Sequence, residues 1–222
     1  MYKYDLHVHT GPISNGGEAI ENHINFLRKI GFSGMVVTNH FFGGDNKLDK
    51  TLPWEEFVGE YKKDYEKGKS LARLYDFDLL FGIEEHIEGG KEILVYGVSP
   101  EFLISHSELK NASLEEYASI IHSGGGLIFQ AHPFRDRWYI ENGGIFENVS
   151  LLDGIEIKNA GNREEENKKC EEYNKTHKLP VVAGTDSHSL RNLGKTGIFS
   201  PVRLKTNQDL VDLLKSGNYK II

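Results

Sequence analysis

Short apolar runs recur along the chain at 3–8, 34–38, 78–83, 93–98, 126–131, 154–157, 181–183 and 198–204. They are apolar on both faces of a period-two pattern, which predicts strands buried on both sides. Between them, 18–29, 53–75, 113–123, 163–178 and 207–215 carry apolar residues near the 3.6 period, and Ser113 and Asn207 stand where N-caps belong. This alternation predicts a parallel α/β protein, either a barrel or a doubly wound sheet, with the barrel preferred. No low-complexity tract, internal repeat or Pro/Ser linker divides the sequence, so residues 1–222 are expected to form one domain.

Composition narrows the range of functions. Hydrophobic residues make up 38% of the 222, enough for a core. No apolar stretch approaches the ~18 residues of a membrane helix, and residues 1–10 lack the layout of a signal peptide; a cytoplasmic location and no membrane partner are expected. Acids outnumber bases 33 to 26, a net charge of -7, which favours a small substrate and makes a nucleic-acid polymer an unlikely partner. The single cysteine, Cys170, has no disulfide partner and is expected to be a partly covered thiol on a helix surface.

The placement of the ten histidines is more informative than their number. His7 and His9 alternate along the first strand and so share a face, where they can hold one metal ion. Asp5, at the same parity, is expected to orient one of the rings. Asn39-His40, Glu84-Glu85-His86, Ala131-His132 and Asp186-x-His188 each follow an apolar run, at the edge where α/β folds assemble their sites. Five such coincidences point to a metal cluster of imidazoles and carboxylates rather than to five separate buried histidines. Glu84 is preferred to Glu85 as a bridging ligand. His23, His122, His106 and His177 lie in helices or polar loops and are set aside.

The motifs Asp5-Leu6-His7-Val8-His9-Thr10, Thr38-Asn39-His40, Ala131-His132-Pro133-Phe134-Arg135 and Gly184-Thr185-Asp186-Ser187-His188, in this order, resemble those of the PHP (polymerase and histidinol phosphatase) domain family. The resemblance implies a distorted (β/α)7 TIM-like barrel holding two or three divalent metal ions, typically zinc, manganese or iron. It places His7, His9, Glu84 and Asp186 around one metal, Glu84 and His132 on a second, and His40 with His188 on a third. Three positions depart from the pattern: Asn39 stands where an aspartate is usual, 10–17 lacks a histidine and offers Ser14 and Asn15, and Leu94 replaces a ligand histidine. His86 is the expected stand-in for the missing ring.

The resulting expectation is hydrolysis of a small phosphomonoester, such as histidinol phosphate or a nucleotide, by a water that the metals activate. Arg135 is the candidate catalytic cation for the phosphate, and Lys158 and Asn159 are candidate substrate-binding residues, with Arg163 and Arg191 in later loops. Phe41, Phe42 and Gly43-Gly44 offer a mobile rim or, for the two rings, core packing. Specificity is expected in the loops 41–53 and 136–149. A metal-dependent amidohydrolase and a metal-binding domain without catalysis are the alternatives.

Overall fold

A computed structural model describes residues 1–141 and 143–222; Asn142, inside the 136–149 loop expected to govern specificity, lies outside the described residues. The chain opens with β1 (Tyr2–Val8), a small parallel pair β2 (Thr10–Gly11) and β3 (Glu18–Ala19), helix α1 (Ile20–Lys29) and β4 (Gly34–Val37). Helices α2 (Trp54–Tyr61) and α3 (Lys63–Leu74) replace the single helix expected over 53–75 and meet at Lys62. Next come β5 (Asp78–Glu88), β6 (Lys91–Tyr96), α4 (Pro100–Ile104), α5 (Leu114–Ser123), β7 (Leu127–Gln130), β8 (Gly154–Asn159) and α6 (Glu164–His177). The chain then forms β9 (Val181–Gly184), β10 (Ile198–Ser200), α7 (Asn207–Ser216) and β11 (Lys220–Ile221). Ser113 caps α5 in a reciprocal capping box as expected. The cap of α7 is Thr206, one residue before the expected Asn207, because the Asn207 side chain is engaged with the main chain at Phe81 and Val98.

The strands form a sheet in the order β11-β10-β1-β4-β5-β6-β7-β8-β9. It curls until its flanks meet: Val8 bridges Ser187 in parallel, Asp186 N–H donates to His7 O at 2.7 Å, and His9 N–H donates to Ser187 O at 3.1 Å. Strands β1, β4, β5, β6, β7, β8 and β9 thus close a nearly complete seven-stranded barrel, with β10 and β11 as an antiparallel extension on the first half of β1. The expected barrel is present, but it is mixed rather than wholly parallel. The Gly89–Gly90 turn between β5 and β6 has both φ angles positive (54° and 77°), the geometry of a two-residue hairpin, so β6 runs antiparallel to β5 and β7.

Two apolar clusters sandwich the sheet. Tyr4, Leu6, Val36, Leu80, Leu94, Tyr96, Phe129 and Val182 fill the interior, and Leu210, Val211, Leu213 and Leu214 of α7 pack onto them. Leu94 therefore belongs to the core. The helices cover the outer face, where Phe41 and Phe42 pack with Trp54 and Phe57; the two rings serve the core rather than a mobile rim. Cys170 is also buried rather than partly exposed: its thiol points to Glu156 O, and burial pushes it up to about 12.

A candidate metal centre at the carboxyl end of the barrel

Above the apolar interior, where the parallel strands end, the lining turns abruptly polar. A β-bulge in β1 sets three steps, from Asp5 to Val8, against two on β4, from Met35 to Val37. Parity reverses across the bulge. His7 and His9 consequently face the centre, whereas Asp5 binds Thr185 through its N–H (2.9 Å) and its hydroxyl, tying β1 to the segment after β9. The expectation that Asp5 orients a histidine ring is thus corrected. Glu156 of β8 does that work, with Oε1 at 3.0 Å from His7 Nδ1 and Oε2 accepting from His132 N–H at 2.8 Å.

The second ring is set by a chain of bonds through the residues that depart from the family pattern. Asn39 Oδ1 accepts from Thr10 N–H and from the Ser14 hydroxyl (2.9 Å). With its only proton committed there, Ser14 Oγ accepts from His40 N–H at 3.2 Å and from His9 Nδ1–H at 3.1 Å. In their neutral forms, His7 and His9 therefore carry their proton on Nδ1 and turn the lone pair of Nε2 inward. These two nitrogens lie 3.0 Å apart, and both approach Glu84 (3.2 Å each) and Asp186 Oδ1 (3.5 and 3.1 Å).

Around this point the other expected ligands converge. Glu84 Oε1 lies 2.9 Å from His132 Nε2, and Glu84 Oε2 lies 3.0 Å from His40 Nδ1. His188 stacks on His9 with ring centroids 4.2 Å apart. Three groups of facing ligand atoms result: His7, His9, Glu84 and Asp186; His40, Glu84 and Glu92; and His9, His40 and His188. The seven residues expected as ligands, His7, His9, His40, Glu84, His132, Asp186 and His188, all reach this one centre. Asp186 and His132 do so with φ of 52° and 30°, a left-handed backbone that non-glycine residues adopt at some strain and that is concentrated at functional sites.

Glu92 was not anticipated. It stands at the start of β6, 3.6 Å from His40 Nδ1 and 3.3 Å from His132 Nε2, and it supplies the donor that Leu94 lacks. Among the described residues His86 lines the neighbouring cavity but joins none of the ligand groups, whereas Glu92 joins one.

The electrostatics fit a cation. Burial alone would raise Glu84, but His7 and His40 hold its carboxyl well below the usual range. Burial is likewise overcome at Asp186, chiefly by Arg135 and His7. Conversely, burial would lower His40, yet Glu84 and Glu92 raise it to about 9. Burial and the field of His9 push His188 down to about 4, leaving it neutral. Glu84 Oε2 and His40 Nδ1 are buried without forming a hydrogen bond. Lone pairs at 3.0 Å, carboxylates on three sides and unsatisfied buried donor atoms are the environment a divalent ion stabilises and an apolar or neutral filling does not. The residues therefore fit the metals the sequence implies.

Arg135 donates to Asn162 Oδ1 (2.8 Å), Asn159 Oδ1 (3.1 Å) and Asp186 Oδ2 (2.6 Å), at the wall of a cavity of about 740 Å³ that opens onto the centre. Asn159 is fully buried and also donates to Glu156, so it braces the site rather than facing substrate. Lys158 is a correction: a register shift between Glu156 and Lys158 turns its amine away from the cavity, onto Ile222 O at 2.9 Å. Arg163 pairs with Asp136 and Glu166 outside the cavity, and Arg191 does not line it either. Of the histidines set aside, His122 pairs with Asp153, His106 stacks on Phe102 and His177 on Tyr173.

A seven-stranded barrel with a histidine and carboxylate cluster at the carboxyl ends of its strands defines a PHP-like architecture. The PHP-associated family model matches residues 164–219, the segment that carries the last of the four motifs, and so supports the resemblance there. No curated protein sequence matches the chain. Among solved structures, the chain is similar to a metal-dependent phosphoesterase from Bifidobacterium adolescentis (TM-score 0.63, 15% identity, 96% of each chain covered). It is also similar to a two-domain protein from Bacteroides vulgatus containing a PHP-like metal-dependent phosphoesterase (TM-score 0.74, 13% identity, 100% of this chain and 64% of that one). A third likeness is to the lesion-specific endonuclease Q from Pyrococcus furiosus (TM-score 0.66, 13% identity, 99% of this chain and 57% of that one). At these identities the likenesses establish the fold, and this chain spans under two thirds of the second and third proteins. They also overturn one expectation. Endonuclease Q of this fold is seen with a 27-mer duplex whose abasic lesion lies at the active site, so the net charge of -7 does not make a nucleic-acid partner unlikely.

Proposed function

We propose that the chain is a metal-dependent phosphoesterase that hydrolyses a phosphate ester at the cluster on the carboxyl end of the barrel. The observation that carries this reading is the set of imidazole and carboxylate donors facing one another at about 3 Å beside an open cavity. His7, His9, Glu84 and Asp186 would hold one divalent ion; Glu84, Glu92, His40 and His132 a second; His9, His40 and His188 a third. Zinc, manganese and iron all suit this donor set. When bound, such ions activate water and neutralise charge on the phosphate.

The protein's own residues supply the rest. Glu156, Ser14 and Asn39 fix the tautomers of His7 and His9, so that both present lone pairs without rearrangement. Arg135 uses Nε and Nη2 on Asn159, Asn162 and Asp186, which locks the guanidinium at the cavity wall beside Tyr139, where it can meet a phosphate oxygen. A small phosphomonoester fits beside it. We read residues 1–222 as one unit, a reading supported by the pairing of β1 with β10 and by the bonds from Asp5 to Thr185. A cytoplasmic location is consistent with the single cysteine, which no disulfide requires.

The test is phosphate release from a panel of phosphomonoesters and nucleotides with Mn or Zn supplied, the His9→Ala protein run alongside. Turnover by the unmodified protein that vanishes in the variant is expected. If metal-loaded protein releases ammonia from amide substrates and no phosphate, the chain is an amidohydrolase; if it releases neither, it is a binding domain.

A further inference from the structure

The 740 Å³ cavity has two unlike walls. One is the cluster: His40, Glu84, Glu92, Asp186 and His188. The other is a short strap carrying Arg137, Trp138 and Tyr139. A phosphate group held at the cluster occupies a small part of such a volume, which is in the range that accommodates a whole drug-sized ligand. The remainder of the ester must extend toward the strap.

Trp138 is 95% exposed, more than any other large hydrophobic side chain among the described residues. Scattered exposed apolar residues need no explanation, but this one stands at the rim of the cavity on a strap that is tied down on both sides. Arg137 donates to Glu166 Oε1 (2.7 Å) and Gly161 O (3.3 Å), and Glu141 N–H donates to Gly89 O (2.8 Å). The turn beneath it is shaped to receive it, since a Cβ on Gly90 would fall 2.3 Å from Tyr139 O. These bonds fix the backbone of the strap, so the Trp138 side chain starts at the rim of the cavity with both indole faces open to a flat ring. Tyr139 stands edge-on to it, with centroids 5.7 Å apart and an interplanar angle of 89°, giving the platform a second aromatic wall.

We propose that Trp138 is a specificity-determining residue that stacks on the base of a nucleotide ester whose phosphate lies at the cluster. This rests on the phosphoesterase reading above and names its substrate class. An aliphatic phosphate ester has no flat face to offer and gains nothing from Trp138. The base can belong to a free nucleotide or to the end of a strand.

The experiment compares AMP, a short 5′-phosphorylated oligonucleotide and glycerol phosphate, using the metal-loaded unmodified protein, Trp138→Ala and Trp138→Phe. Indole fluorescence gives a binding readout independent of turnover, and Trp54 alone remains in the variants. AMP is expected to quench the unmodified protein and not Trp138→Ala, whereas glycerol phosphate quenches neither. Trp138→Ala is expected to raise KM for AMP about tenfold with kcat preserved and to leave glycerol phosphate unchanged, and Trp138→Phe to recover most of the loss. Quenching by AMP alone assigns the site to a free nucleotide; quenching by the oligonucleotide as well assigns it to a strand end. Equal loss toward AMP and glycerol phosphate, or no quenching by either base-bearing ligand, overturns the proposal. Quenching by AMP without phosphate release from any ester would leave the stacking site standing and remove the hydrolytic reading.

Discussion

At the amino end of the barrel, Arg203 lies between Asp76 and Asp78, with Nε at 3.0 and 2.9 Å from the two Asp78 oxygens and Nη1 at 2.9 Å from Asp76 Oδ2. Tyr4 adds its hydroxyl to Asp78 at 2.8 Å and accepts from Leu204 N–H at 2.8 Å. Cation and carboxylates there satisfy one another beside solvent, since Asp76 is exposed. At the carboxyl end the groups are buried more deeply, imidazole nitrogen faces imidazole nitrogen, and the carboxylates of Glu84, Glu92 and Asp186 crowd one point. The first arrangement is complete in itself and ties distant segments together. The second is suited to a cation, and that separates a candidate binding centre from an ion pair.

The sharpest way to break this comparison is to remove one carboxylate from each end. Glu84→Gln is expected to abolish metal binding and lower turnover by more than the ~100-fold typical of losing a supporting partner, as read by metal analysis and phosphate release. In chelator, the same variant is expected to unfold at a lower denaturant concentration than the parent, because the carboxyl that His7 and His40 hold well below its usual range ionises more favourably in the folded than in the unfolded chain. Asp78→Ala is expected to cost about 2 kcal/mol in denaturant unfolding with metal content unchanged. Loss of metal from Asp78→Ala as complete as from Glu84→Gln would mean that the two ends are alike.

A smaller effect is expected from Ser14→Ala, which frees the His9 tautomer. Metal affinity should fall about tenfold with the fold intact, measured by chelator competition. Affinity should also depend on pH. His40 is raised to about 9 in the metal-free protein and must be neutral to bind, so metal displaces its proton below that pH. Affinity is expected to climb steeply between 7 and 9, since His7, whose burial is outweighed by Glu156, Glu84 and Asp186, is raised as well, and proton release in calorimetry is expected to track the same curve.

The ligands carried by parallel strands were legible in the sequence because each follows an apolar run whose carboxyl end must lie at the site. Glu92 escaped because β6 runs the other way: its amino-terminal residue faces the centre, and the two-glycine turn at Gly89–Gly90 was the signal for that reversal. Asp5 and Lys158 differ from expectation for related reasons. Asp5 lies beside the bulge in β1, where counting by twos assigns a side chain to the wrong face, and Lys158, expected at the site from its place at a strand end, follows a register shift in β8 that turns its amine away. Ser14 was read as the polar residue nearest a missing histidine, and its role in fixing His9 emerges only when Asn39 is brought beside it from β4. Arg135 reaches the centre as expected, although its bonds to Asp186 and Asn159 depend on three segments distant in sequence.

The join between Asp5 and Thr185 has a consequence for how the molecule is made. The two residues are 180 positions apart, so that contact and the adjoining ones between His7 and Asp186 are among the last that a growing chain can form. As translation proceeds, His7 and His9 leave the ribosome long before Asp186 exists, and a nascent chain holds only part of the group formed by His7, His9, Glu84 and Asp186. Loops of this length also slow folding, since closure entropy must be overcome before the contact rewards it. Metal loading at that group would therefore be a late event in the life of each molecule, and an ion held there would act as a clasp that reports that the barrel has closed.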